Sequence, residues 1–191
     1  MRFGGRLRGS QAVSGWLRGG SGGVARVQRG SIDIAGAATS NTATLTTSVD
    51  LARSRIVFLG IHDQSADTTP DKVACRVALT NANTVTATVN TTGAGIRTVK
   101  YEVIEYQPGV IRYLKRGTIT TTGATTGTDT VAVSDTTKST VDYLGFTTTY
   151  NAGSQIGLGL GSVVLTNATT VTFVGQGGID RTAGYQVVEF Y

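Results

Sequence analysis

The sequence predicts an all-β protein: two tandem, duplicated antiparallel β-sandwich or barrel modules behind an extended N-terminal arm. Three observations carry this. Leu79-Thr-Asn-Ala-Asn-Thr-Val-Thr86 returns as Leu165-Thr-Asn-Ala-Thr-Thr-Val-Thr172. Arg29-Gly30, Leu59-Gly60 and Tyr101-Glu-Val-Ile-Glu-Tyr106 return as Arg116-Gly117, Leu144-Gly145 and Tyr185-Gln-Val-Val-Glu-Phe190, at offsets of 84 to 87 residues. So regular a repeat speaks to architecture before chemistry. Several stretches alternate apolar and polar residues with period two, and no ten-residue window shows the helical period. Residues 1–26 hold eight glycines, five arginines and no acid, a composition with no core of its own.

Taken in order, residues 1–26 form the arm, with Arg2, Arg6, Arg8, Arg18 and Arg26 around Phe3, Leu7, Val13, Trp16 and Leu17. Ordering a residue costs about 1–2 kcal/mol of backbone entropy, and burying a large side chain returns about 1.5–3 kcal/mol. Three or four such anchors cannot order 26 residues, so the arm is expected to lie across a partner protein, its arginines on acids or carbonyls. The first module spans 27–106. Its expected strands are Val27–Ile34, Ala43–Leu51, Arg55–Ile61, Lys72–Leu79, Val85–Val89 and Val99–Val103. Gly, Asn, Asp or Pro clusters separate several of them. A linker at 107–113 opens on Gln107-Pro-Gly109, a turn signal that keeps the modules close. The second module, 114–191, repeats the order, with Ile111–Thr120 entering it from the linker. Thr128–Val133, Val141–Phe146, Ser162–Leu165, Thr170–Val174 and Tyr185–Tyr191 follow. The modules differ most at 62–71 and 147–154, where loops can acquire separate contacts.

Bulk properties narrow the function. Charged residues are 15% of the chain and glycines number 26, which reads as surface covered by neighbours. The net charge of +5 resides in the arm, because the remaining residues carry twelve bases and twelve acids. A neutral body has no broad attraction for a polyanion, and nucleic acid is not an expected partner. Cys75 is the only cysteine; it falls among inward residues and reads as a buried, inert thiol. No apolar run approaches a membrane span, and the N-terminus lacks the apolar core of a secretory signal.

Candidate chemistry is sparse. His62, Asp63, Asp67 and Asp71 form the densest polar cluster. The spacing lacks the calcium-loop pattern and its terminal glutamate, so a solvated loop is expected, and neither metal nor cofactor. With Tyr150 and Asn151 from the other variable loop, these residues are the candidate loop contacts. Glu102 and Glu105 lie three apart on one strand and face opposite ways, so they share no site. Gly157-Leu-Gly-Leu-Gly161 and Gly175-Gln-Gly-Gly178 lack the lysine and following helix of phosphate loops. Nothing in the chain forms a nucleophile–base pairing, and a non-enzymatic protein is expected.

The Val27-Gln-Arg-Gly30 start, the Leu-Thr-Asn-x-x-Thr-Val-Thr strands and the Tyr185-Gln-Val-Val-Glu-Phe190 close resemble small structural proteins of tailed bacteriophages. The resemblance covers both modules and not the arm. It implies a multimeric virion part located on the particle: a capsid decoration or cement protein, or a short head or tail fibre. Its partners would be capsid, connector or tail proteins and further copies of itself, with a trimer favoured. The alternative is a receptor- or glycan-binding adhesin that contacts a host surface through 62–71 and 147–154.

Overall fold

The computed structural model describes residues 23–64, 67–152 and 160–191. It is all-β, with antiparallel sheets. Residues 24–106 form β1 (Val24–Ile34), β2 (Ser40–Thr44), a 3-10 turn at Leu51–Arg53 and β3 (Ser54–Asp63). A short helix α1 (Pro70–Val73), β4 (Cys75–Asn81), β5 (Thr84–Val89) and β6 (Arg97–Tyr106) follow. Residues 111–190 form β7 (Ile111–Thr121), β8 (Thr126–Thr130), a 3-10 turn at Thr136–Lys138 and β9 (Ser139–Thr148). They end with β10 (Gly161–Asn167), β11 (Thr170–Gly175) and β12 (Arg181–Phe190).

In the first segment β1-β6-β3 lies over β2-β5-β4, and in the second β7-β12-β9 lies over β8-β11-β10. A single pair, Arg76 with Gly145, joins β4 to β9 and makes one six-stranded sheet across the two segments. Alternation places one side of each strand inside. Ile32, Ile56, Val77, Val85, Val99 and Val103 fill the first core. Ile119, Val171, Phe173, Tyr185 and Val187 fill the second. Two residues cross over: Leu144 of β9 packs in the first core, and Ala74, just before β4, packs in the second.

The recurring motifs are packing devices. Tyr101 lies opposite Gly30 and Tyr185 opposite Gly117 in the strand register. A Cβ at Gly117 would stand 2.8 Å from the Tyr185 ring, and one at Gly30 would meet Tyr101 in the same way. Arg-Gly therefore recurs because a buried tyrosine lies flat on the glycine. The glutamate of the closing motif holds the 3-10 turn. Glu105 Oε1 accepts from the Asp50 N–H at 3.0 Å, and Glu189 accepts from the Ser134 and Asp135 N–H groups at 2.9 and 3.0 Å. Asp50 and Asp135 then accept from the amides of Ala52 and Thr137, both at 2.9 Å.

Several expectations need correction. Ala43–Leu51 is not one strand: β2 ends at Thr44, and Leu45 and Val49 reach the core from an irregular stretch. Their amides bond to the β4–β5 turn, at Asn83 O and Ala82 O. Lys72 and Val73 belong to α1, which starts at Pro70, where a missing N–H costs nothing. β1 begins at Val24, three residues before the expected boundary, and takes Arg26 into the sheet opposite Glu105. Tyr191 lies beyond β12 with 70% of its surface exposed; only its N–H is engaged, on Val110 O at 3.1 Å.

The Tyr-on-Gly stacking gives a direct test. Gly117→Ala is expected to cost about 1–3 kcal/mol by overpacking, read as a lower urea midpoint. Gly23→Ala, where a Cβ would meet nothing within 4 Å, is expected to stay within about 0.5 kcal/mol of the parent.

Candidate functional site

Of the arm residues proposed to dock, Arg2, Phe3, Arg6, Leu7, Arg8, Val13, Trp16, Leu17 and Arg18 lie outside the described residues. Arg26 sits in β1; its guanidinium lies 3.5 Å from Glu105 and 3.4 Å from the Ser48 carbonyl. His62 and Asp63 close β3 and are not loop residues, with His62 exposed opposite Thr98. Asp67 accepts from the Ala94 N–H at 2.7 Å and lies 3.4 Å from Lys72. Asp71 is buried in α1. Asn151 is exposed.

The fold does bring the two variable loops together. The Asp71 N–H donates to Tyr150 O at 3.0 Å, and Asp71 O accepts from Thr91. Beside this contact lies a cavity of about 540 Å³, with Phe58, Ile61, Tyr143 and Phe146 on its apolar wall and Asp63 and Asp67 on its polar one. Among the described residues, no three His, Cys, Asp or Glu side chains group to hold a metal. Burial pushes the Tyr143 phenol well above the ordinary tyrosine value. Cys75, 3% exposed, has its thiol pushed up to about 12 by burial. A thiol that stays protonated is a poor nucleophile.

Two buried arginines escaped the sequence reading. Arg97 and Arg181, 0% and 1% exposed, open the closing strands β6 and β12. Arg97 donates to the carbonyls of Ala35 at 2.9 Å, Ala38 at 2.8 Å, and Lys72 and Thr91 at 3.1 Å. Arg181 donates to the carbonyls of Gln176, Gly177 and Ile179, and its guanidinium lies 6.0 Å from the Phe173 ring centroid. The glycine loop at 175–178 thus turns carbonyls inward on a cation. A phosphate loop does the reverse, offering N–H groups to an anion. The signal was available, since both arginines stand four residues before the repeated tyrosine.

A second polar group is peculiar to 111–190. Tyr185 Oη donates to Asp129 Oδ2 at 2.6 Å, and Lys115 Nζ donates to Asp129 Oδ1 at 3.1 Å. The Tyr185 hydrogen bond, with help from Lys115, holds the Asp129 carboxyl below its ordinary range. Burial and that carboxylate push the Tyr185 phenol up. A phenol raised in this way is no base or nucleophile at neutral pH. The group is a clamp.

The densest polar arrangement lies where the two segments meet. Asp142, Gln186 and Arg116 run side by side across β9-β12-β7. Arg55 of β3 forks onto Asp142, the bidentate geometry that makes such pairs directional. Gln186, fully buried, accepts from the Ile56 N–H at 3.2 Å and donates to Asp142 at 2.9 Å. Arg116 donates to Gln186 Oε1 at 3.1 Å, and to the carbonyls of Leu51 and Ser54. Burial pulls the Arg116 guanidinium down to about 10. The arrangement locks one segment onto the other, and neither variable loop contributes a side chain to it.

Comparison of the chain with protein-family models, with curated proteins and with solved structures finds no match.

The Asp129 clamp has a signed pH signature. A carboxylate whose folded pKa lies below its unfolded value adds stability above the unfolded value and loses it as pH falls through the folded one. Asp129→Asn is therefore expected to be less stable than the parent at neutral pH by about 1 kcal/mol. That gap should close on acidification below the ordinary aspartate value of 3.8. Urea unfolding of both proteins at neutral and acid pH measures it. Asp50 and Asp135 are also held low, but both proteins share them, so they cancel.

Proposed function

We propose that the chain is a non-enzymatic structural protein of a tailed-bacteriophage virion, a capsid decoration or cement protein or a short head or tail fibre. In this reading one β unit is used twice, residues 1–22 anchor it to capsid, connector or tail, and several copies assemble, with a trimer favoured. One observation carries it. Four buried charged side chains that recur between 24–106 and 111–190 are engaged with the chain's own backbone: Glu105 and Glu189 on the 3-10 turns, Arg97 and Arg181 on loop carbonyls. Side chains used in that way specify a shape, and a shape used twice suits a building block. The glutamate of the closing Tyr-x-Val-x-Glu motif belongs to this set, which ties the phage resemblance to packing.

A second reading has an observation of its own. The loops at 62–71 and 147–154 meet through Asp71 and Tyr150 beside the apolar cavity. Paired loops at the end of a rigid β scaffold are a common place for recognition. A receptor- or glycan-binding adhesin would use that end.

Cryo-electron microscopy of intact particles, with the parent chain and with a variant lacking residues 2–22, separates the two. The virion reading expects the parent at defined positions on the particle and at least a tenfold loss of incorporation for the truncated chain, which should still fold. A truncated chain that incorporates normally would defeat the anchoring role. A chain missing from particles that binds host cells through 62–71 and 147–154 would favour the adhesin.

A further inference from the structure

Within one chain, the outer face of β9-β12-β7 closes the open side of the first segment between β3 and β4. Leu144 on that face is 3% exposed and belongs to the first segment's core. Gly184 gives room to the stem of Arg76, whose Cγ stands 2.9 Å from where a Cβ would be. Gly145, at φ +82°, lies against the Cys75 carbonyl, and a side chain there would overlap it. Gln186 and Val188 are fully buried. β12 is thus covered on both faces, whereas β6, its counterpart, still alternates between buried and partly buried positions, with Lys100 exposed.

Among the described residues, nothing covers the corresponding surfaces in this way. Leu59, the counterpart of Leu144, is 54% exposed. Gly60, the counterpart of Gly145, keeps a positive φ of +118° with nothing within 4 Å of a built Cβ. Arg29 and Lys100, counterparts of Arg116 and Gly184, are exposed. On the receiving side, Ala74 is 8% exposed but its counterpart Leu160 is 58% exposed. Val77 and Leu79 of β4 are buried to 1% and 6%, while Val163 and Leu165 of β10 are only partly buried.

We infer that copies of this chain join head to tail: the outer face of β3-β6-β1 in one copy closes the β9–β10 side of the next. Continuity with the joint already present inside the chain selects a second copy as the occupant. Several differences between the two surfaces also come in compensating pairs, while Glu102, paired with Arg29, stands where Gln186 does. Large on small inside the chain, Arg76 on Gly184, becomes small on large between chains, Ser162 facing Lys100. The charged pair Arg55–Asp142 becomes Thr140 facing Val57, so both charges disappear together and neither is stranded. Arg29 takes the place from which Arg116 reaches the carbonyls of Leu51 and Ser54, facing those of Thr136 and Ser139. The strand contact Arg76–Gly145 becomes Ser162–Gly60, with the left-handed glycine kept. A joint between unlike surfaces closes into a ring or runs on as a fibre. The inference rests on the twofold use of one unit and not on the virion reading.

The test uses full-length chains carrying Leu59→Asp or Leu160→Asp, both at exposed positions, with thermal melting to confirm parental folding. Sedimentation at micromolar concentrations should find the parent assembled beyond a single chain. Each variant alone should assemble about a hundredfold more weakly or worse, because an unpaired carboxylate is forced into an apolar contact. An equimolar mixture should give a dimer of one chain of each kind and nothing larger. The Leu59 variant keeps its β9–β10 side, the Leu160 variant keeps its β3-β6-β1 face, and the surfaces left over are both blocked. A parent that stays monomeric, as it would if its own chain filled that side, overturns the inference. So does a variant that assembles like the parent, or a mixture that stays monomeric. Particle incorporation by a monomeric chain would sink this joint and leave the virion reading standing; a correctly joined chain absent from particles would do the reverse.

Discussion

A sandwich of two three-stranded sheets has an open flank, and closing that flank is the constraint on which the rest of this structure depends. Between β3 and β4 the first core would meet water. Instead the outer face of β9-β12-β7 covers it, with Leu144 packed in that core. Units of about this size bury only about 60% of their unfolded surface, so covering an open flank is a sizeable share of the available hydrophobic stabilisation. The polar row of Arg55, Asp142, Gln186 and Arg116 fixes the direction and register of the closure. An apolar contact alone would leave these free to slide.

The same economy governs the buried charges. Arg97 and Arg181 are among the most buried of the described side chains, and they are tolerated because loop carbonyls saturate much of each guanidinium. Each arginine gathers turns that lack a sheet to hold them, at 35–38 and 176–179. Glu105 and Glu189 do the corresponding work for the amides at the entry to the 3-10 turns. Loops rich in glycine and threonine are thereby tied by hydrogen bonds to buried side chains. The role proposed for the chain, a part that holds its shape inside an assembly, draws on those bonds more than on any one surface residue.

Much of the fold was legible in the residues. Strand after strand was located from alternation, and the repeated motifs named the positions that matter. Arg-Gly and the distant tyrosine were visible as partners in recurrence, although their stacking was not. What escaped were elements whose signal is not periodic. The helix at Pro70–Val73 is one turn long. Leu45 and Val49 imitate a strand while their amides are held by a turn. Arg97 and Arg181 look like ordinary charged residues at a strand end, because the carbonyls that justify their burial come from remote loops.

The sequence by itself determined which side of each strand faces inward, since a period of two leaves no other choice. It also predicted one order of strands for 27–106 and 114–191. Only the tertiary structure decided that Leu144 is buried and Leu59 is bare. The two Leu-Gly pairs are locally alike, and no neighbouring residue tells them apart. Burial there depends on whether another surface arrives across space, and among the described residues Leu144 meets one and Leu59 does not.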